Sequence, residues 1–464
     1  MFLQAAGSAE AKEAARLQKE GKFLFTDQAI RKLIVPLMLE QTLNVCVGMA
    51  DSIMVASVGE AAVSGVSLMD TVYVLLIQLF AALAAGGSVV VGQFLGGQRD
   101  KDSREAADQL IAFMALVSLG IMVLMYLLKN FILTVVFGNI TAEVYGHANT
   151  YAMICTASIP FIAVFNAGAA VMRTAGDSRT PMRTSLLMNV INVVGNATLV
   201  FGFHLGTAGV AIPTLVSRVI ASIVILILLT DRKRRVYIRG IHHFRFKGGL
   251  IRKILQVGIP NSVENSLFQL GKILILSLVA SFGTSAIAAN AVANIVASFE
   301  VLPGIAMGFA VLTVISRCIG AKEFGQAKFY VGKLMKTTYL TLWVTDIVIL
   351  LLLPLVLYAY HLSPETAATA RNLSMLHGFC AMAIWPLAFT LPNVFRASGD
   401  AKFPMVVSFC TMIILRIVFA YILGKYLGLG VFGCWLAMIL DWIGRTIIFI
   451  PHFRKGGWMT KGLS

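Results

Sequence analysis

The chain of 464 residues is 58% hydrophobic and only 13% charged, a balance too apolar and too charge-poor for a soluble domain, so it reads as a membrane protein. Its 38 Lys and Arg against 22 Asp and Glu leave a net +16, a basic excess that points to nucleic acid or to membrane topology until the charges are located. Apolar stretches of about 20 residues, each enough for one helical crossing, recur along the whole length and leave no room for a large soluble or catalytic domain.

In chain order, residues 1–32 form a polar tail in which AEAKEAARLQKE predicts a short charged helix, unlike a secretory signal, and which is expected to stay in the cytoplasm. Spans are predicted at 33–57, 68–92, 109–128, 150–171, 185–203 and 209–229. A basic connection, DRKRRVYIRGIHHFRFKGGLIRK, follows. Six more spans are predicted at 257–281, 291–316, 337–358, 375–395, 405–424 and 431–451. The chain thus divides into a tail (1–32), a first lobe (33–230), a linker (231–256), a second lobe (257–451) and a second tail (452–464). Of the basic residues, 31 lie in the tails and even-numbered connections, against Lys129, Arg371 and Lys425 in the odd-numbered ones. The positive-inside rule then makes both termini cytoplasmic, and the net charge calls for no nucleic acid. Its simplest role is that of a topological anchor with some attraction to anionic lipid.

The six cysteines (Cys46, Cys155, Cys318, Cys380, Cys410, Cys434) lie in or beside apolar stretches without a CxxC pair, so neither a disulfide framework nor a metal site is expected. GLGVFG at Gly428–Gly433 spells a dinucleotide fingerprint but joins two membrane helices and lacks the preceding strand. HExxH, GxSxG and GxxxxGK[ST] are all missing, so no enzyme chemistry or cofactor is anchored in the sequence.

The two halves are a duplication. Pro36 and Glu40 in PLMLEQTL recur as Pro260 and Glu264 in PNSVENSL, and VASVGEAAVSG from Val55 recurs at the same offset as VASFGTSAIAA from Val279. RTAGDSRTPM from Arg173 and RASGDAKFPM from Arg396 lie one position closer together, and Gly206 and Gly430 restore the first offset. Six spans per half make this a parallel repeat: an all-α polytopic protein of twelve transmembrane helices in two six-helix lobes that rock about a midplane site. In the GDxxxP segments, Gly176 and Gly399 suit a tight turn and Pro181 and Pro404 suit the start of the next helix.

Ionisable residues inside spans are the functional candidates. Glu40, Asn44 and Asp51 are spaced to form one polar stripe on the first span. Asn189, Asn192 and Asn196 share a face of the fifth span, and Asn166 lies on the fourth; with Asp51 these amides suit a small cation or a hydrogen-bonded shell around a proton site, or else simply glue helices. In the second half, Glu264 is a candidate for proton or substrate binding, or a structural acid paired with Lys272 or Arg416. Lys272 is expected to meet Asp441 or a carboxylate of another span. Asp70 and Glu300 are read as structural acids near solvated helix ends or breaks. Arg416 stands at the repeat position of Asn192, so the lobes are chemically unequal.

The segments ADSIMVASVGEAAVSGVSL and VGQFLGG, with the paired RTAGDSRTP and RASGDAKFP, resemble the multidrug and toxic compound extrusion (MATE) transporters over nearly the whole chain. The resemblance implies alternating access of two lobes and export of bulky amphipathic, often cationic, compounds in exchange for H⁺ or Na⁺, from a bacterial cytoplasmic membrane; no oligomeric partner is implied, and a monomer is expected. It places cation coupling at Asp51 with Asn166, Asn192 and Asn196, and leaves Glu40, Asn44 and Glu264 for substrate or proton binding. Some members carry an aspartate where Asn196 stands, so less negative charge is available here for Na⁺; the tenth span also lacks the acid of the sodium-coupled branch. The alternative is a flippase for a lipid-linked glycan or other anionic lipid precursor, favoured by Arg416, Lys272 and Arg218.

Overall fold

The computed structural model describes residues 23–138, 140–239 and 245–463; the tail segment AEAKEAARLQKE lies outside them. Among the described residues every regular element is helical. The first half comprises α1 (Asp27–Ala56), α2 (Glu60–Gly96), α3 (Asp100–Phe131), α4 (Ala142–Thr156), α5 (Ile159–Thr174), α6 (Arg179–Ala197) and α7 (Gly206–Leu229). The second comprises α8 (Gly248–Ala280), α9 (Thr284–Glu300), α10 (Leu302–Gly320), α11 (Phe324–Ala359), α12 (Pro364–Trp385), α13 (Pro392–Ser398), α14 (Lys402–Thr411) and α15 (Gly430–Lys455). Among the described residues eleven helices are long and apolar enough to cross a membrane, or twelve if α4 and α5, bent by 47°, count as one span. Their outward surface is apolar, with Leu127 and Leu351 each 75% exposed, which suits lipid and not water.

The predicted spans fall on helical segments, α-helices continued in places by π-turns, most of which run further into the polar connections. The eighth predicted span, 291–316, is interrupted: α9 stops at Glu300 and α10 restarts at Leu302 with Pro303 in its first turn, where a missing N–H costs nothing. Thr141 and Ser363 cap α4 and α12 by accepting hydrogen bonds from the backbone N–H of Val144 and Thr366.

By internal contact the chain forms two compact units, Leu39–Ser262 and the described part of Met1–Met38 together with Val263–Ser464. Each boundary falls inside a long helix, α1 or α8, close to Pro36 or Pro260, where proline removes a helical hydrogen bond. In the 39–262 unit the start of α8 lies along α2, where Asn261 Nδ2 donates to the Ala82 carbonyl at 3.0 Å and Ser262 Oγ to that of Leu79 at 3.1 Å. In the other unit the chain before α1 is held on α11: Leu24 N donates to Gln326 Oε1 (3.0 Å) and Phe25 N to the Tyr330 hydroxyl (3.1 Å).

The GDxxxP segments turn as expected. Gly176 and Gly399 sit at φ of 99° and 97°, a conformation that favours glycine, and Pro181 and Pro404 are the third residues of α6 and α14. Each segment is also a clasp. Asp177 accepts from Arg234 Nη1 at 2.6 Å, and Asp400 from His452 (3.1 Å) and Lys461 (2.8 Å). Burial raises the Asp177 carboxyl, but hydrogen bonds from the Thr180 hydroxyl and Arg234 outweigh it and hold the group below its ordinary value. The linker's cations are not left to lipid alone. Arg235 pairs with Asp100, Arg239 with Glu105 and Asp108, and Lys247 with Glu105.

Wide π-turns close the spans at Thr198–Gly202 and Tyr421–Tyr426, and a glycine of the following helix packs against each: Gly209 and its repeat mate Gly433. A Cβ on Gly433 would lie 2.6 Å from the Leu423 carbonyl carbon, and one on Gly209 would lie 3.0 Å from that of Leu199. Gly433→Ala is therefore expected to cost about 1–3 kcal/mol by overpacking, and Gly209→Ala less. Thermal stability of the purified variants, followed by size-exclusion chromatography, checks the order; equal shifts would show that the closer approach at Gly433 is not felt.

Candidate functional site

The predicted stripe on the first span is real, and each of its members meets a different layer of the fourth and fifth spans within the 39–262 unit. Glu40, 2% exposed, accepts from Arg173 Nη2 at 2.5 Å. One turn on, Asn44 Oδ1 accepts from Ser185 Oγ (3.2 Å) and Asn189 Nδ2 (3.3 Å). Further along, Asp51 Oδ1 accepts from Asn196 Nδ2 at 2.7 Å. The Asn192 amide satisfies both neighbours when its nitrogen faces Asp51 Oδ1 at 2.8 Å and its oxygen accepts from Thr214 Oγ1 at 3.0 Å. The α1 stripe and the asparagine face of α6 thus zip into one polar seam, as helical spacing requires of facing stripes.

The seam differs from expectation at one member. Asn166 makes no hydrogen bond to Asp51, Asn192 or Asn196, and its buried Nδ2 has no hydrogen-bond partner among the described residues. It sits on α5, while α6 alone supplies the amides that reach Asp51. Asp70 is answered by the Tyr151 hydroxyl at 2.8 Å, and Arg218 donates to Ser158 Oγ at 2.8 Å. Sequence reasoning missed Thr214, Ser185 and Tyr151 because hydroxyls carry little signal in a span.

Asp51 is chemically distinct from Glu40, the other acid of the seam. Glu40 has a guanidinium against it, whereas among the described residues no cation stands within ion-pair distance of Asp51. Its neighbours are neutral amides, and the buried Asn196 Oδ1 beside it has no donor. A half-buried carboxylate so placed is stabilised by gaining a proton or a small cation. The free amide oxygen can take the hydrogen bond of a protonated carboxyl or ligate a monovalent cation.

The second unit repeats the Glu–Arg pair and not the rest. Glu264 accepts from Arg396 Nη2 at 2.6 Å and from Ser408 Oγ at 2.7 Å. Its partner is thus the arginine of the RASGDAKFP segment and neither Lys272 nor Arg416, which point elsewhere on the bundle. Lys272 does not meet Asp441; its Nζ lies 5.1 Å over the Phe268 ring, and Asp441 is taken by Arg445 at 2.9 Å and approached by Arg416 at 4.0 Å. Glu300 is not solvated at the helix break: it is fully buried and bonded to His377 Nδ1. Asp346 on α11 is also fully buried, and among the described residues neither of its carboxylate oxygens has a hydrogen-bond partner. Its signal was a lone acid in the apolar run YLTLWVTDIVILLLLP.

A MatE family model matches the chain twice, over residues 36–198 and 260–422, two ranges whose ends are repeat mates. The uncharacterized transporter YisQ of Bacillus subtilis (strain 168) is 26% identical over 440 residues, which are 92% of this chain and 94% of that protein. The probable multidrug resistance protein NorM of Thermotoga maritima is 25% identical over 446 residues, 93% of each chain. A solved outward-facing conformation of a multidrug resistance MATE family transporter of the MOP superfamily is alike in fold, with a TM-score of 0.86 at 21% identity over 92% of this chain and 95% of that one.

Removing one partner of a buried ion pair leaves an unanswered charge, at a cost of about 3–5 kcal/mol. Arg396→Ala should therefore lower thermal stability sharply, and the double variant with Glu264→Gln should recover most of the loss. Equal stability of the single and double variants would show that the two side chains are not coupled.

Proposed function

The chain belongs to the MATE family, and from that premise we propose that it is an ion-coupled exporter of bulky amphipathic compounds, a multi-pass protein of the bacterial cytoplasmic membrane with both termini in the cytoplasm. It works as a monomer, without cofactor or nucleic acid, by alternating access of lobes 33–230 and 257–451. The observation that carries the coupling role is Asp51, an acid in a span whose close partners are amides and not a cation. A cationic character of the compounds is favoured by the resemblance alone; no residue of the seam adds to it.

As a carboxylate, Asp51 accepts from Asn192 and Asn196 and draws α1 toward α6. Protonated, it gives up part of that acceptance and donates instead, with Asn196 Oδ1 beside it lacking a donor. The seam then has two hydrogen-bonded arrangements, and the ion couples to transport by binding the two lobe states with different affinity. Na⁺ is the second candidate ion. With the Asn192 oxygen turned to Thr214, Asp51 and Asn196 Oδ1 are the oxygens the seam offers, enough for a proton but few for a hard cation that wants a shell of oxygen ligands. One charge moved through 100 mV supplies about 2.3 kcal/mol, roughly a fiftyfold concentration ratio at about 1.4 kcal/mol per tenfold.

Dye efflux from proteoliposomes, with a pH gradient and a Na⁺ gradient imposed separately at clamped potential, tests this reading. Extrusion driven by the pH gradient is expected, and Asp51→Asn should abolish it without loss of folded protein. Wild-type efflux in Asp51→Asn would remove Asp51 from the mechanism.

A further inference from the structure

The basic residues of the seventh, eleventh and twelfth spans have no part in that mechanism. The duplication shows what they replace. At the offset that carries Pro36 to Pro260, Asn44 becomes Phe268, Gly48 becomes Lys272, Asp51 becomes Ile275, Asn192 becomes Arg416 and Asn196 becomes Ala420. The acid and its amides are lost, and two cations and an aromatic ring stand in their places.

These groups are gathered within the 263–464 unit. Lys272 Nζ and Arg416 Cζ each lie 5.1 Å from the centroid of Phe268, and Arg445 Cζ lies 6.0 Å from it and 5.0 Å from that of Phe389. Asp441 bonds Arg445 at 2.9 Å and comes no nearer than 4.0 Å to Arg416. Glu264 is occupied by Arg396 and Ser408. Among the described residues one carboxylate, Asp441, therefore stands among three cations, hydrogen-bonded to Arg445 and only in a long ion pair with Arg416. Arg416 is only 7% exposed, yet among the described residues its Nε and Nη1 make no hydrogen bond. Lys272 is exposed and, among the described residues, in no ion pair.

Backbone irregularity sets Arg416 in place. Ser185 and Ser408 still keep the shorter offset of Arg173 and Arg396, whereas Gly206 and Gly430 keep that of Pro36 and Pro260, so the second half holds one extra residue between these points. The structure accommodates it as a π-helical turn, Met412–Val418, where α6 runs regularly from Arg179 to Ala197. A π-turn re-aims the side chains it carries and is common at functional sites; this one carries Arg416.

We propose that Lys272, Arg416 and the face of Phe268 form a binding site for an anionic group, a phosphate or carboxylate, borne on an apolar body. The guanidinium offers a planar fork matched to such oxyanions, the ammonium a second point charge, and the ring a surface for the apolar part. The surrounding apolar helices lower the local dielectric and strengthen the attraction. The assignment deepens the export reading by naming amphipathic anions among the compounds moved, and rests on it for that role; binding itself does not.

The test uses the full chain in nanodiscs of zwitterionic phosphatidylcholine, with fluorescent 1-pyrenebutyrate as the probe and no gradient. Saturable binding is expected, displaced by 1-naphthyl phosphate or dioctanoyl phosphatidic acid and not by tetraphenylphosphonium. Lys272→Met and Arg416→Gln should each raise Kd at least tenfold. Lys272→Met decides alone if Arg416→Gln does not fold, because Lys272 is exposed and unpaired. Displacement by dioctanoyl phosphatidic acid only assigns the anion to a lipid headgroup, and displacement by naphthyl phosphate as well assigns it to soluble amphiphiles; both uphold the site. Wild-type affinity in Lys272→Met, or displacement by tetraphenylphosphonium as effective as by the anions, overturns it. Binding with the expected pattern in a preparation that exports nothing under either gradient would sink the export reading and leave the site standing.

Discussion

A polar side chain in a span has no water to turn to, so another side chain of the protein must answer it. The architecture of the 39–262 unit follows from that constraint. Glu40, Asn44 and Asp51 line one face of α1, and α6 with the end of α5 presents Arg173, Ser185, Asn189, Asn192 and Asn196 to them in the same order. The seam fixes the register of the two helices more tightly than apolar packing would, since sliding by one residue would leave several groups unbonded at once. Of its two acids, Glu40 is answered by a guanidinium and Asp51 by neutral amides.

Duplication then gives the same backbone two chemistries. Both halves keep the Glu–Arg pair, the glycine turn after it and the glycine packed on a π-turn, because those features hold helices together in either half. What differs lies between them. The first half carries an acid among amides, and the second carries cations around Phe268. A single inserted residue, absorbed as a π-turn, accompanies that exchange.

Much of this was legible in the residue order. Helical periodicity predicted the α1 stripe and the asparagine face of α6, because a helix face is a property repeated along the chain. Pairings did not follow. Glu264 has three basic residues within plausible reach by sequence, Lys272, Arg416 and Arg396, and only the fold shows that the turn after α13 brings Arg396 to it. Asn166 failed to join its group because one helix face cannot be oriented from a single polar residue. Glu300 looked solvated at a helix break, yet α12 covers it with His377.

By itself the sequence determined that this is a duplicated twelve-span membrane protein with an unusual acid in its first span, since hydrophobic length, period and repeat are one-dimensional quantities. Only the tertiary structure decided which charges neutralise each other and which are left over. Neutralisation depends on distances of a few ångströms between residues more than a hundred positions apart, such as the 133 that separate Glu40 from Arg173 and the 132 between Glu264 and Arg396.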